Sequence, residues 1–293
     1  MTHSKASRTS HFAPDYRGNY QPIGVFDSGA GGLTVLKELE RQLPNEPLLY
    51  LGDTARVPYG TRSPEEIVEF ARQIISWMAG RNVKMVVMAC NTSSALALET
   101  MRQEFDLPIL GLIQPAAELA ISQGQRIGVI ATPTTAKSHA YRDAIQRRSP
   151  NTAVWEVGCP EFVPIVEEGR ISNPETLDTV RTYVQPLLDQ GIDSLVYGCT
   201  HYPHLAPVLD QILPEAIARI DPALSIVREA TQILNQLDLH HMGPLQSHKF
   251  YVTGDQEQFS ILANQWLNEP PIVEQVSLAT TTPTPIYPIP VAI

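Results

Sequence analysis

The chain has 293 residues, 43% of them hydrophobic and 18% charged, which is enough core-forming material for one large or two medium domains. A net charge of −10 argues against a nucleic-acid backbone as partner. Three cysteines are too few for a disulfide scaffold and fit reduced thiols in a cytoplasmic protein, and without a long apolar run no membrane span is expected.

Residues 1–21 are polar, lack an apolar signal core and are expected to form a loose tail. Order is expected from Ile23, where IGVFDSGAGGLTVLKELERQL predicts a strand, a glycine-rich turn and a helix over 33–43. GAGG lacks the G-x-G-x-x-G spacing of a dinucleotide site, so a ligand loop without a nucleotide is the better reading. Asp27 ends that strand. A second strand over 48–51 leads into a polar loop, 52–60, too glycine-punctuated for core. Ser63-Pro64-Glu65-Glu66 then reads as a capped helix start.

The next unit is VKMVVMACNTSSALALE, a buried strand ending at Cys90 and followed by Asn91, Thr92 and a helix expected over 94–104. Ligands of open α/β sheets bind at such carboxyl strand ends. A helix N-terminus there also favours a thiolate and leaves amides free for an anion.

After a strand over 109–112, the scheme restarts at Arg126 with a strand, an ATPTT turn and a helix. Cys159 follows a further short strand, and Glu167 lies near the end of a short helical segment. Lacking a partner in the other half, Cys159 reads as structural. GIDSLVYGCTHYPHLAPVL then repeats the strand–Cys unit, with Cys199 109 positions beyond Cys90 and followed by Thr200, His201 and an expected helix.

The expected fold class is α/β: two similar domains, each a mainly parallel sheet flanked by helices, with the active site in the interdomain cleft. The first domain takes residues 22–115 plus about 225–270, and the second takes 116–224. A strand and helix near 249–267 are expected to pack back on the first sheet, and 271–293 reads as a Pro/Thr-rich tail.

The chemistry is narrowed by what is missing. Thioredoxin-type redox needs C-x-x-C, and a structural zinc needs four closely spaced ligands; neither pattern is present. Acyl transfer by Cys199 with His201 leaves Cys90 unexplained. Proton transfer at a carbon uses both thiols, one removing a proton while the other donates to the opposite face. A phosphate site is disfavoured because ATPTT replaces the glycine loop in the second half. A two-lobed amino-acid binding protein gives no reason for paired thiols.

IGVFDSGAGG, YLGDTARVPYG, ACNTSSA, CPEFVPIVEEG, GCTHYPHL and FYVTGD together resemble the glutamate racemases over about residues 23–268. The resemblance implies a cofactor-independent, metal-free two-base enzyme that makes D-glutamate for the cell wall and acts as a homodimer. It implies catalytic roles for Cys90 and Cys199, with Asp27 assisting the first and His201 and Glu167 the second. It further implies that Ser28, Pro58, Tyr59, Gly60, Asn91, Thr92 and Thr200 hold the substrate. Tyr59 also fits a packing role, and Asp53 fits a role in ordering its own loop. A racemase of aspartate or another acidic amino acid on the same fold is the alternative.

Overall fold

The computed structural model describes residues 19–244, 246–267 and 269–278. Its first sheet starts from β1 (Ile23–Asp27), whose five residues are all buried. A strand covered on both faces reads as a continuous apolar run, and IGVF is one. Helix α1 (Leu33–Gln42) follows, then β2 (Leu48–Gly52). Helix α2 (Pro64–Ala79) begins with the expected capping box: Ser63 Oγ accepts from the Glu66 amide, and the Glu66 carboxylate accepts from the Ser63 amide.

β3 (Met85–Met88) ends just before Cys90, which stands at the N-terminus of α3 (Asn91–Leu96). The helix expected over 94–104 therefore starts earlier, and it breaks at Ala97 into α3 and α4 (Leu98–Glu104). β4 (Ile109–Gly111) completes this part, and α5 (Ile113–Gln123) leads to the second sheet.

The second sheet starts with β5 (Arg126–Ala131), followed by α6 (Pro133–Ser138) and α7 (Ala140–Arg148). Then come β6 (Ala153–Gly158), α8 (Phe162–Glu167), α9 (Pro174–Asp189) and β7 (Ser194–Gly198). After Cys199 no long helix forms. Tyr202–Leu205 is a 3-10 turn and α10 (Ala206–Leu209) is a single turn, because Pro203 and Pro207 cannot donate the hydrogen bonds a longer helix needs.

β8 (Ala218–Ile220) and the long α11 (Pro222–Leu237) return the chain to the first sheet. β9 (Lys249–Val252) lies parallel beside β2; α12 (Gln256–Asn264) and β10 (Val273–Gln275) follow.

The strand orders are β10-β9-β2-β1-β3-β4 and β6-β5-β7-β8, and every pairing is parallel. The two α/β lobes with parallel sheets are as expected. Two tail boundaries differ. β10 pairs with β9 inside the segment expected to trail from 271, where Val273 packs on the apolar core. At the other end Asn19 is buried, and its carbonyl accepts from the Met242 amide at 3.2 Å. Residues 1–18 and 279–293, which carry the rest of the tail expectations, lie outside the described residues.

One apolar core runs through both lobes. It joins Leu33 and Leu36 of α1 to Leu205 and Leu209 of the second lobe, with Ile226, Val227 and Ala230 of α11 between them. The return from α11 is fixed by a buried ion pair: Lys84 Nζ lies 2.5 Å from Glu46 and donates to the Leu239 carbonyl at 2.6 Å. Glu46 in turn accepts from the His241 amide at 2.9 Å. Removing one member strands a buried charge, which costs roughly 3–5 kcal/mol. K84M is accordingly expected to lower the unfolding free energy by about 3 kcal/mol in denaturant titrations. A loss below about 1 kcal/mol would show that the pair does not hold this return.

Candidate active site

Parallel topology directs the carboxyl ends of β1, β3 and β7 toward one cleft, and the expected residues stand at those ends. A cavity of about 230 Å³ is lined by Asp27, Ser28, Pro58, Tyr59, Gly60, Cys90, Asn91 and Thr92 from the first lobe. Glu167, Cys199, Thr200 and His201 line it from the second. All twelve expected site residues are brought together. The volume lies below the roughly 300–1,000 Å³ of sites for drug-sized ligands, which fits a small metabolite.

Asp27 is buried, and its Oδ2 accepts from the amides of Gly29 (3.1 Å) and Gly32 (3.0 Å). These amides belong to the glycine turn read from sequence as a ligand loop; the turn spends these two on its own aspartate. Burial raises the Asp27 pKa, while His201 and the turn amides oppose the shift.

Cys90 also departs from expectation. Burial pushes its thiol up to about 12, and the negative field of Asp27 adds to the effect. The Ser93 amide at the start of α3 pulls the other way, but desolvation outweighs it.

On the opposite side, Cys199 Sγ lies 3.7 Å from His201 Nδ1, and His201 Nε2 lies 3.0 Å from Glu167 Oε1. Burial works against an imidazolium there, yet the Cys199 sulfur and the Glu167 carboxylate outweigh it and hold the ring up to about 10. The result is a thiol–imidazole–carboxylate relay.

The donors around the cavity are mostly neutral. Asn91 Oδ1 accepts from the Tyr141 hydroxyl at 2.6 Å, and its Nδ2 is buried without a partner. Thr92 Oγ1 lies 3.1 Å from both Thr132 Oγ1 and Thr135 Oγ1 across the cleft. The Tyr59 hydroxyl donates to Asp53, which also binds Arg56 Nε at 2.6 Å and Thr253 Oγ1 at 2.7 Å. Asp53 thus ties its loop together, as expected, and Tyr59 both lines the cavity and packs on Phe70. No lysine or arginine lines the cavity among the described residues.

A comparison of protein families matches residues 23–230 to Asp/Glu/Hydantoin racemase. The chain is 56% identical to a glutamate racemase of Synechocystis sp. over 87% of this chain and 92% of that one. The chain belongs to the Asp/Glu/Hydantoin racemase family.

Solved members agree in shape. A glutamate racemase isoform from Bacillus anthracis superposes with a TM-score of 0.86 at 34% identity, covering 89% of this chain and 98% of that one. A glutamate racemase from Francisella tularensis, in complex with D-glutamate, gives 0.85 at 36% identity over 90% and 100% of the two chains.

Sequence reasoning missed several neighbours of this racemase-family site. Thr132 lines the cavity from the ATPTT turn, whose position matches the Asp27 turn, so that signal was present. Cys159, expected to be structural, also lines the cavity, though it is buried and its Sγ lies 3.6 Å from the Val157 carbonyl. Trp266, which meets His201 from α12's end, carries no local signal.

The raised Cys90 pKa has a measurable consequence, because only the thiolate is alkylated. In a C159A/C199A background, the Cys90 rate is expected to be slow at pH 7 and to climb about tenfold per pH unit. D27N removes the nearby negative charge, so its curve should move to lower pH. An unchanged or upward-moved curve would show that Asp27 does not act on this thiol.

Proposed function

We propose that this protein interconverts L- and D-glutamate with Cys90 and Cys199 as its two acid–base groups, supplying D-glutamate for the bacterial cell wall. The observation that carries the reading is one small cavity reached by two thiols from equivalent strand ends of opposite lobes. The names of the 56%-identical relative and of the D-glutamate complex support glutamate as the substrate.

At neutral pH a Cys90 group held at about 12 is a thiol, and a His201 ring held at about 10 is an imidazolium. The His201 ring faces the Cys199 sulfur at 3.7 Å, so Cys199 is assigned as the first base, and the resemblance to the glutamate racemases gives this second cysteine the L-isomer. Cys199 takes the α-proton, and the C–H electron pair moves into the carboxylate as an enediolate. Cys90 then gives its proton to the opposite face of Cα. The reaction leaves a Cys199 thiol and a Cys90 thiolate; D-glutamate runs the same steps backwards, or solvent resets the pair.

The α-proton of an amino acid is very weakly acidic, so the developing enediolate is where stabilisation counts. Ser28, Asn91, Thr92 and Thr200 serve as donors to the carboxylates, with the orphaned Asn91 Nδ2 among them. Pro58, Tyr59 and Gly60 shape the wall. Asp27 and Glu167 are the anions available to the ammonium. No step calls on a metal or an organic cofactor. The expected homodimer and cytoplasmic location belong to this reading; no helix among the described residues is long and apolar enough to cross a membrane.

The test is solvent-deuterium incorporation at Cα of both glutamate and both aspartate isomers, with no added cofactor. Exchange with inversion on glutamate and little on aspartate is expected. Exchange on aspartate instead would keep the two-base chemistry and change the substrate. C90A and C199A should each lose racemisation by at least about 10³-fold while remaining folded. An active single variant would remove that cysteine from its role.

A further inference from the structure

We infer that His201, a residue of the second lobe, is held in its working orientation by Gly31 and Trp266 of the first lobe; this rests on the two-base reading above. The two contacts come from opposite ends of the chain. Gly31 sits in the turn organised by Asp27 and meets the imidazole at a distance only glycine permits: a Cβ there would lie 2.5 Å from His201 Nδ1 and 2.6 Å from Thr200 Oγ1. Beside it, Thr34 Oγ1 reaches the Thr200 carbonyl at 3.3 Å across the same boundary.

Trp266 follows α12, which packs beneath the first sheet through Phe259 on Tyr50. Its ring meets His201 edge to face, with centroids 5.7 Å apart at 89°, and stacks on His204 at 4.4 Å and 25°. His204 is also tied to His201 directly, its amide donating to the His201 carbonyl at 3.1 Å. With Glu167 on Nε2, the ring is bounded on three sides and its Nδ1 is left facing Cys199.

An imidazole 3.7 Å from its sulfur has little tolerance for rotation, and a small misplacement is enough to weaken proton transfer. Gly31 and Trp266 are thus positioning residues for one of the two proton transfers.

The test is W266A, W266F and G31A in the full chain, read by α-deuterium isotope effects on kcat/KM for each isomer. The enantiomers have an equilibrium constant of one, so kcat/KM must fall equally in both directions and cannot report the affected side. The isotope effects can. With the Cys199 step slowed, deuterated L-glutamate should show a larger effect. Deuterated D-glutamate, whose label leaves before the limiting step, should fall toward its equilibrium value.

W266A and G31A are each expected to lose about tenfold in kcat/KM with this split, and W266F to recover part of it. Unsplit effects, or a rise on the D side, would overturn the inference. Should W266A fail to fold, W266F and G31A carry the same comparison. A second readout is the imidazole ¹⁵N shifts of His201, which should move in folded W266F; unmoved shifts count against the clamp. That measurement needs no substrate, so it also separates this inference from the proposed reaction if the wild type does not exchange glutamate.

Discussion

The site depends on a buried carboxyl group. Asp27 closes the central strand of the larger sheet and, with almost no access to water, satisfies itself on the amides of Gly29 and Gly32. A buried charge is tolerated only when it is well bonded, so the turn has to wrap around it. Tyr50 braces the same turn by donating to the Gly29 carbonyl at 2.7 Å. Two consequences reach opposite sides of the cavity. The negative field helps keep Cys90 protonated, and the wrapped turn carries Gly31 against His201.

The charge balance inside the cavity follows the same logic. Asp27 and Glu167 are acidic, His201 is the one cation among the described lining residues, and the remaining polar groups are hydroxyls and amides. An arginine clamp would bind a substrate carboxylate strongly before reaction and so deepen the ground state. Fixed neutral dipoles gain most when charge builds on the carboxylate in the enediolate, which is where binding accelerates chemistry. They also leave the thiols free of a nearby lysine or arginine that would hold both as poorly basic thiolates.

Much of this was legible in the sequence, for physical reasons. Buried parallel strands are short apolar runs, so IGVF, MVVM and SLVYG announced themselves, and the residues after each run fell at the ligand edge. The Ser63–Glu66 capping box was equally local. What failed depended on distance or competition. Whether the Gly29 and Gly32 amides are free depends on where a side chain two to five positions away turns. The balance at Cys90 between helix N-terminus and desolvation is set by packing that no spacing reveals. Trp266 reaches the site only because β9 joins β2, a pairing between segments some 200 positions apart. β10 was hidden by a Pro- and Thr-rich setting that reads as tail.

The two halves meet the same requirement by different means. After Cys90 a helix begins at once, so a backbone amide, that of Ser93, is aimed at the sulfur by the fold itself. After Cys199, Pro203 and Pro207 prevent an equivalent helix, and only a 3-10 turn and one helical turn follow. The second sulfur therefore receives its donor from a side chain, His201. A backbone amide is held by its secondary structure, but an imidazole rotates about two torsions and must be held by its neighbours. Glu167 supplies one restraint from the same lobe, and the contacts with Gly31 and Trp266 come from the other. The loss of a helix after the second cysteine thus makes one of two otherwise similar acid–base centres depend on how the lobes meet.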